Sequence, residues 1–160
     1  MQSGYIIIVT GSLGSGKSVF SRRLAKILGY QWINIGDLLL QALKEKGIHV
    51  PNREKVGWKF LKEMGRSQYF KTIMRAAKPY TILDGILSEN AVNQIQSGKR
   101  VIHIFRTGID CNGVNHSSNK QDGFEHDLPQ LKASADYEVE WFRTVDEIDQ
   151  VIQKRFGAIL

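Results

Sequence analysis

The hydrophobic positions of this chain form short continuous runs separated by segments with helical spacing. The first run, residues 4–10, contains the β-branched stretch IIIV, which is typical of a parallel strand buried on both faces. Residues 17–28 then carry Phe20, Leu24 and Ile27 at helical spacing, and Gly29 supplies a terminator. The pattern therefore predicts a strand, a turn and an amphipathic helix at the start of the chain.

The same alternation continues to the end of the chain. Because strands and helices alternate, we expect right-handed crossovers and a mostly parallel sheet between two layers of helices, in one domain over residues 1–160. The expected strands are 31–35, 80–83, 101–105 and 137–141. The expected helices are 36–46, 52–64, 67–77 and 88–97, and a last one that begins at the capping box of Thr144 and Glu147.

One segment interrupts this alternation. Residues 107–127 are rich in Gly, Asn, Ser, Asp and His and show little periodicity. A loop of this length within a compact domain is unusual, and such loops are generally functional lids or disordered segments. We therefore expect a lid-like loop here.

The composition is that of an ordinary folded protein, with 42% apolar and 24% charged residues. The apolar run at residues 5–9 is far too short to cross a membrane and lacks the flanks of a signal peptide. The lone cysteine, Cys111, cannot form an internal disulfide, which agrees with a reducing compartment. We expect a cytoplasmic protein with no membrane partner.

The balance of charge favours phosphate-rich partners. The chain has 22 Lys and Arg residues against 16 Asp and Glu, for a net charge of +6, and such a surplus suits either a nucleotide or a nucleic acid. The basic residues are scattered, however, and form no run of five or six. A nucleic-acid partner therefore stays open but is not favoured.

The turn between the first strand and the first helix carries the strongest chemical signal. Residues 11–18 read GSLGSGKS and match the pattern G-x-x-x-x-G-K-[ST]. Its glycines let backbone N–H groups ring a phosphate, and the positive end of the helix dipole faces the same anion. Lys17 can reach the β- and γ-phosphates of ATP, and the Ser18 hydroxyl can bind Mg²⁺. The predicted nucleotide-binding residues are Gly11, Ser12, Gly14, Ser15, Gly16, Lys17 and Ser18.

Two aspartates follow predicted strands, Asp37 after the second and Asp84 after the third. In an open parallel sheet, ligands collect beyond the carboxyl ends of the strands, so we expect both side chains on the rim that holds the phosphate loop. Asp84 is predicted to bind Mg²⁺ or to accept a proton from an attacking hydroxyl, with an Asp-Gly turn as the alternative. Asp37 is either a substrate-binding residue or a helix cap.

Further segments carry a resemblance to a known family. INIGDLL at 33–39, ILDGI at 82–86 and VIHIFR at 101–106 follow the phosphate loop in the order found in the nucleoside monophosphate kinase superfamily. The second half of the chain is most similar to phage-type deoxynucleoside monophosphate kinases and to dephospho-CoA kinase-like proteins. FEHDLP at 124–129 resembles a polar segment of that group, with Glu125 as the matching acid that would bind substrate.

The resemblance implies a three-layer α/β/α P-loop NTPase fold, with a five-stranded parallel sheet of strand order 2-3-1-4-5. It also implies ATP-dependent, Mg²⁺-assisted phosphoryl transfer to a nucleoside monophosphate or a similar small acceptor. In such proteins, residues 37–77 would cover the acceptor, residues 107–127 would form the lid, and Arg143 would lie near the adenine.

The chain departs from this family at its phosphate-binding arginines. Leu40 stands where adenylate-type kinases carry an arginine, and residues 107–127 contain one lysine, Lys120, and no arginine. Arginine forks bind phosphate bidentately and contribute on the order of 10³-fold in rate. We prefer Arg106, at a strand end on the ligand rim, as the catalytic substitute. The other candidates are Arg143, which has a similar position, and Arg53, Arg66 and Arg75.

Two other functions stay open. The absent arginines are also consistent with a nucleotide-binding regulator whose catalysis is weakened. The net positive charge is consistent with a kinase or NTPase that acts on nucleic-acid ends.

Overall fold

A five-stranded parallel sheet of strand order β2-β3-β1-β4-β5 forms the centre of the protein. The structure is a computed structural model, and it describes residues 4–11, 15–86, 88–96, 98–105, 128–140 and 144–156. The strand order implied by the resemblance is therefore confirmed. The strands are β1 (Ile6–Thr10), β2 (Gln31–Asn34), β3 (Thr81–Asp84), β4 (Lys99–Phe105) and β5 (Tyr137–Glu140).

The central strand β1 is apolar on both faces. Ile6 and Ile8 pack in one hydrophobic cluster, while Ile7 and Val9 pack in another on the opposite face of the sheet. All four side chains are buried. A continuous run of β-branched residues suits a strand that helices cover on both sides.

Helices cover both faces of the sheet. α1 (Lys17–Leu28) and α7 (Val145–Val151) pack on the Ile7 side, and α7 continues as a π-helical turn, Ile152–Phe156. This arrangement is the expected three-layer α/β/α fold. Among the described residues, no helix has both the length and the apolar character needed to span a bilayer. The opposite face carries α2 (Ile35–Glu45), α3 (Val56–Met64), α4 (Arg66–Ala76), α5 (Glu89–Gln94) and α6 (Leu128–Ser134).

The start of α3 differs from the prediction in a way that affects the site. A helix was expected from Asn52, but a 3₁₀ turn, Arg53–Lys55, comes first and α3 begins at Val56. The Asn52 carbonyl accepts a hydrogen bond from the Lys55 N–H at 3.1 Å, which closes this tight turn. The turn carries the Arg53 side chain to the carboxyl end of β2.

Two other helices also differ from the prediction. α5 ends at Gln94, before the expected position, because Ile95 turns to an extended conformation and is buried in the core. α6 was not expected, since its sequence LPQLKAS is too short to show a period. Its Leu131 is fully buried in the cluster that contains Ile6, so tertiary packing stabilises this helix.

The N-cap of the expected capping box is present at the last helix. Thr144 is the N-cap of α7, and its Oγ1 accepts a hydrogen bond from the Glu147 N–H at 3.3 Å. Asp146 and Glu147 also place negative charge in the first turn, where the helix dipole favours it.

Replacing Thr144 by alanine should lower the free energy of unfolding by about 1 kcal/mol, because an N–H group at the start of α7 loses its side-chain acceptor. Urea unfolding followed by circular dichroism measures this change. Thr72→Ala is the matched control, because Thr72 lies inside α4, where it bonds to the Gln68 carbonyl and where alanine should be neutral or slightly stabilising. Equal losses from the two substitutions would contradict the capping role.

Candidate active site

Glycines shape both ends of the turn between β1 and α1. Gly11 has a φ of 152°, and a Cβ at this position would lie 2.5 Å from the Ile104 carbonyl oxygen and 2.7 Å from Ser15 Oγ. Gly16 has a φ of 88° and is the N-cap of α1, without a side-chain hydrogen bond. Gly16 has no side chain that could cap the first N–H groups of α1, and this arrangement suits an anion at a helix N-terminus.

Lys17 and Ser18 open α1 directly after this turn. Both act on the carboxylate of Asp84, the Lys17 ammonium through its charge and the Ser18 hydroxyl through a hydrogen bond. The structure thus brings the end of the phosphate loop together with the end of β3, as the sequence predicted. Two other predicted loop residues, Ser12 and Gly14, lie outside the described residues.

A buried polar pair joins β1 to β4 just before this loop. Thr10 Oγ1 and His103 Nδ1 lie 2.9 Å apart, and the two residues are Cα partners in the sheet. Both side chains are buried. Since Thr10 directly precedes Gly11, this pair fixes the strand end from which the phosphate loop departs.

Asp84 is the buried carboxylate of the site. It is the last residue of β3, is fully buried, and pairs through its Cα with Val9 of β1 and Asn34 of β2. Asn34 Nδ2 donates a long hydrogen bond of 3.4 Å to Asp84 Oδ2. Within the described part of the chain, Asp84 Oδ1 has no hydrogen-bond partner of good geometry. One carboxylate oxygen is thus buried and incompletely satisfied.

The surroundings of Asp84 shift its pKa in opposite directions. Burial raises the pKa, whereas the nearby Lys17 ammonium lowers it. The side chains of Ser18, Trp32 and Asn34 also lower it as hydrogen-bond donors. By geometry alone, the buried Trp32 Nε1 has no hydrogen-bond partner among the described residues. Burial prevails, and the pKa of Asp84 lies above its ordinary value.

These groups fit Mg²⁺ and the phosphates of a nucleotide. Mg²⁺ prefers oxygen ligands, and both the Ser18 hydroxyl and the unpartnered Asp84 Oδ1 are of this kind. A bound cation would lower the pKa of Asp84 again, because it would favour the charged carboxylate. The glycine-capped start of α1 suits phosphate oxygens.

A second polar cluster lies at the carboxyl end of β2. Asn34 Oδ1 accepts hydrogen bonds from the Asp37 N–H at 2.9 Å and from Arg53 Nη2 at 2.8 Å. Arg53 Nη2 also donates to Asp37 Oδ1 at 2.5 Å. The N-cap of α2 is therefore Asn34 and not Asp37, which corrects one of the two roles considered for Asp37. Asp37 lies beside the carboxyl end of β2, and its substrate-binding role stays a prediction.

Sequence reasoning did not identify Asn34 and did not prefer Arg53. Asn34 had a local signal, because it ends a strand three residues before the acidic residue of the first helical turn. Arg53 had none, since 19 residues separate it from Asn34 along the chain. Of the other suggested arginines, Arg66 opens α4 and Arg75 lies in its last turn, and both are exposed.

Three predicted site residues, Arg106, Glu125 and Arg143, lie outside the described residues. The lid-like segment 107–127 lies outside them as well. Their roles therefore stay predictions.

The fold and the strand, turn and helix around residues 11–18 define a P-loop protein. A family model described as an AAA domain matches residues 10–105, which is more than half of the chain. The chain therefore belongs to this AAA domain family.

Two curated relatives match parts of the chain. A cytidylate kinase of Methanothrix thermoacetophila is 38% identical over 61 residues, which cover 38% of this chain and 29% of that protein. A protein of Aeropyrum pernix named UPF0200 is 34% identical over 104 residues, which cover 62% of this chain and 56% of that protein. The chain thus spans less than two thirds of the length of either relative.

Solved structures of kinases share the fold over nearly their whole length. Shikimate kinase from Aquifex aeolicus has a TM-score of 0.63 at 16% identity, over 96% of this chain and 97% of that chain. Dephospho-CoA kinase from Campylobacter jejuni has a TM-score of 0.59 at 14% identity, over 96% of both chains. Identities this low establish the fold alone.

The raised pKa of Asp84 predicts how the stability of the Mg²⁺-free protein depends on pH. The folded state holds this proton more tightly than the unfolded chain, so the stabilising contribution is complete below about pH 4. It is lost as the pH rises through the higher pKa of the folded state. The free energy of unfolding of the parent chain, minus that of Asp84→Asn, should therefore fall as the pH rises from about 4 towards 7.

Urea unfolding in EDTA at a series of pH values measures this difference. Because the same two proteins are compared at every pH, titration of all other groups cancels to first order. A difference that is constant, or that grows with pH, would contradict a raised pKa for Asp84.

Proposed function

We propose that this protein is an ATP-dependent, Mg²⁺-assisted phosphotransferase that acts on a nucleoside monophosphate or a similar small acceptor. The observation that carries the proposal is the meeting of Lys17, Ser18 and the buried Asp84 at the carboxyl end of the sheet. Membership of the AAA domain family and the kinases among the relatives and fold neighbours support the same class of reaction.

The chain contributes mainly positioning and charge. The Lys17 ammonium neutralises charge that develops on the transferred phosphoryl group, and the N–H groups at the start of α1 hold phosphate oxygens. Ser18 and Asp84 hold Mg²⁺, which when bound adds further charge neutralisation. Because Gly11 lies close against the Ile104 carbonyl of β4 and Gly16 sets the start of α1, the donors at the start of α1 need little rearrangement.

The transfer forms a bond between an acceptor oxygen and the γ-phosphorus, and it breaks the bond from that phosphorus to the β,γ-bridging oxygen. The bridging oxygen keeps the electron pair, and ADP leaves. An ionised phosphate oxygen on the acceptor carries no proton to remove. A hydroxyl acceptor would have to lose a proton, and Asp84 is our candidate to receive it.

Several finer roles belong to this proposal through the resemblance. Arg106 would neutralise charge on the transferred group, Arg143 would lie near the adenine, and Glu125 would contact the acceptor. Residues 107–127 would act as the lid of a single cytoplasmic domain. The narrower similarity to phage-type deoxynucleoside monophosphate kinases is also part of the proposal.

Lys17→Ala tests the proposal directly. The substitution should reduce the turnover of ATP to ADP in the presence of an acceptor by about 10²–10³-fold, because one preorganised positive group is lost. It should also weaken ATP binding. ADP release, measured against a panel of nucleoside monophosphates and dephospho-CoA, gives the first quantity, and calorimetric titration gives the second.

Lys26→Ala is the matched control, because Lys26 is an exposed lysine in the last turn of the same helix. It should change neither quantity. Equal ATP binding by the parent chain and Lys17→Ala would overturn the proposal, as would a parent chain that binds no nucleoside triphosphate. Binding of ATP without turnover on any acceptor would instead identify the protein as a nucleotide-binding regulator.

A further inference from the structure

We propose that Arg53 binds the anionic group of the phosphate acceptor and thereby selects acceptors that carry a phosphate or a carboxylate. The inference rests on the proposed function, and it concerns the other substrate of the same site. Its structural basis is the cluster of Asn34, Asp37 and Arg53 at the carboxyl end of β2.

The position of Arg53 depends on the absence of a side chain at residue 36. The ideal Cβ of a residue at Gly36 would overlap Nη1 of Arg53 and lie 2.7 Å from Nη2. Gly36 lies in the first turn of α2, where its backbone has no left-handed conformation that would require glycine. Alanine is the better helix former, so the glycine is unfavourable for α2 by itself. It leaves room for the guanidinium group against the helix.

The guanidinium of Arg53 is held in place through Nη2. Both of its hydrogen bonds to Asn34 and Asp37 are donated by this nitrogen. The Arg53 side chain is nevertheless 45% exposed. A guanidinium has five N–H donors, so those on Nη1 and Nε are left to donate single charge-assisted hydrogen bonds to a carboxylate or phosphate. Asp37 and Asn34 act here as positioning residues that hold the guanidinium in place.

An exposed ion pair alone would not account for this arrangement. Such pairs stabilise folded proteins little, because solvent screens them and ordering two side chains costs entropy. The pair of Arg53 and Asp37 is of this exposed kind, with side-chain exposures of 45% and 63%. A binding role gives a reason for a glycine that weakens the helix, whereas a contribution to stability does not.

Asn34 connects this cluster to the phosphate side of the site. Its Oδ1 accepts from Arg53, while its Nδ2 donates to the buried Asp84. Asn34 and Asp84 are also Cα partners on neighbouring strands. An anionic acceptor held by Arg53 would therefore lie next to the residues proposed to hold the triphosphate. The positive end of the 11-residue helix α2 points to the same rim and favours the same charge.

Arg53→Gln tests the proposal by comparing matched ligands with and without their anionic group. The probes for phosphate are CMP against cytidine and AMP against adenosine, and the probes for carboxylate are shikimate against its methyl ester. In the parent chain, at least one anionic probe should bind more tightly than its neutral partner in calorimetric titration. Arg53→Gln should reduce that preference by about 10- to 100-fold, as expected for a lost charge-assisted pair. The affinity for ATP should stay within about twofold.

Two further variants separate the positioned guanidinium from general charge. Arg53→Lys keeps the charge but has a single nitrogen, which cannot bond to Asn34 and Asp37 while other donors face the anion, so it should recover only part of the preference. Lys44→Gln removes one positive charge from the exposed surface of α2, far from the cluster along the helix, and should leave the preference unchanged.

Gly36→Ala provides a test that a purely structural role would not pass. The methyl group should displace the guanidinium and lower the same preference, while the midpoint of thermal unfolding stays level or rises by up to about 4 °C. Combined with Arg53→Gln, it should cause little additional loss, because both substitutions remove the same interaction.

The outcomes distinguish this proposal from the proposed function. The role of Arg53 would be overturned if Arg53→Gln still bound the anionic probe more tightly than its neutral partner, or if the parent chain showed no such preference in any matched pair. Either result would count even if ATP is bound and turned over. If the preference for the anionic probe depends on Arg53 but the chain binds no nucleoside triphosphate, the anion site is supported and the proposed kinase function is overturned. The pair of probes that responds identifies whether the anion is a phosphate or a carboxylate.

Discussion

The parallel pairing of β2, β3 and β1 is the constraint on which the whole site depends. Asn34 pairs with Asp84, and Asp84 pairs with Val9, so three strand ends stand in one row. Because parallel strands finish at the same edge of a sheet, the polar residues that end β2 and β3 meet the phosphate loop that follows β1. A shift of one residue in either pairing would turn these side chains to the opposite face.

Burial of Asp84 removes its carboxylate from water, and the protein does not fully compensate for this loss of solvation with its own hydrogen bonds and charges. Burial raises the pKa of this carboxyl group despite the nearby Lys17, and one of its oxygens has no hydrogen-bond partner among the described residues. A charge held in this way favours a cationic ligand over water. The burial of Asp84 therefore has two effects. It destabilises the free protein when the carboxyl group is ionised, and it leaves a carboxylate oxygen ready to bind a metal ion.

The two halves of the site differ in how they are built. The phosphate loop uses consecutive residues, so much of its geometry is local, in the glycine dihedrals and the start of α1. The acceptor side is assembled from separate segments, with Asn34 at a strand end and Arg53 in a 3₁₀ turn. Asn34 belongs to both halves, because its amide contacts Asp84 on one side and Arg53 on the other. Such a division allows the acceptor side to change while the phosphate loop stays the same.

The sequence by itself determined the alternating strands and helices, the phosphate loop and the position of Asp84 at a strand end, because each depends on a short local pattern. It also indicated the missing arginine at Leu40, but not its replacement. Only the tertiary structure decided that Arg53 lies against Gly36, that Asn34 caps α2, and that α6 forms around the buried Leu131. These features depend on contacts between residues that are distant along the chain, and no periodicity or capping rule within one segment encodes such contacts.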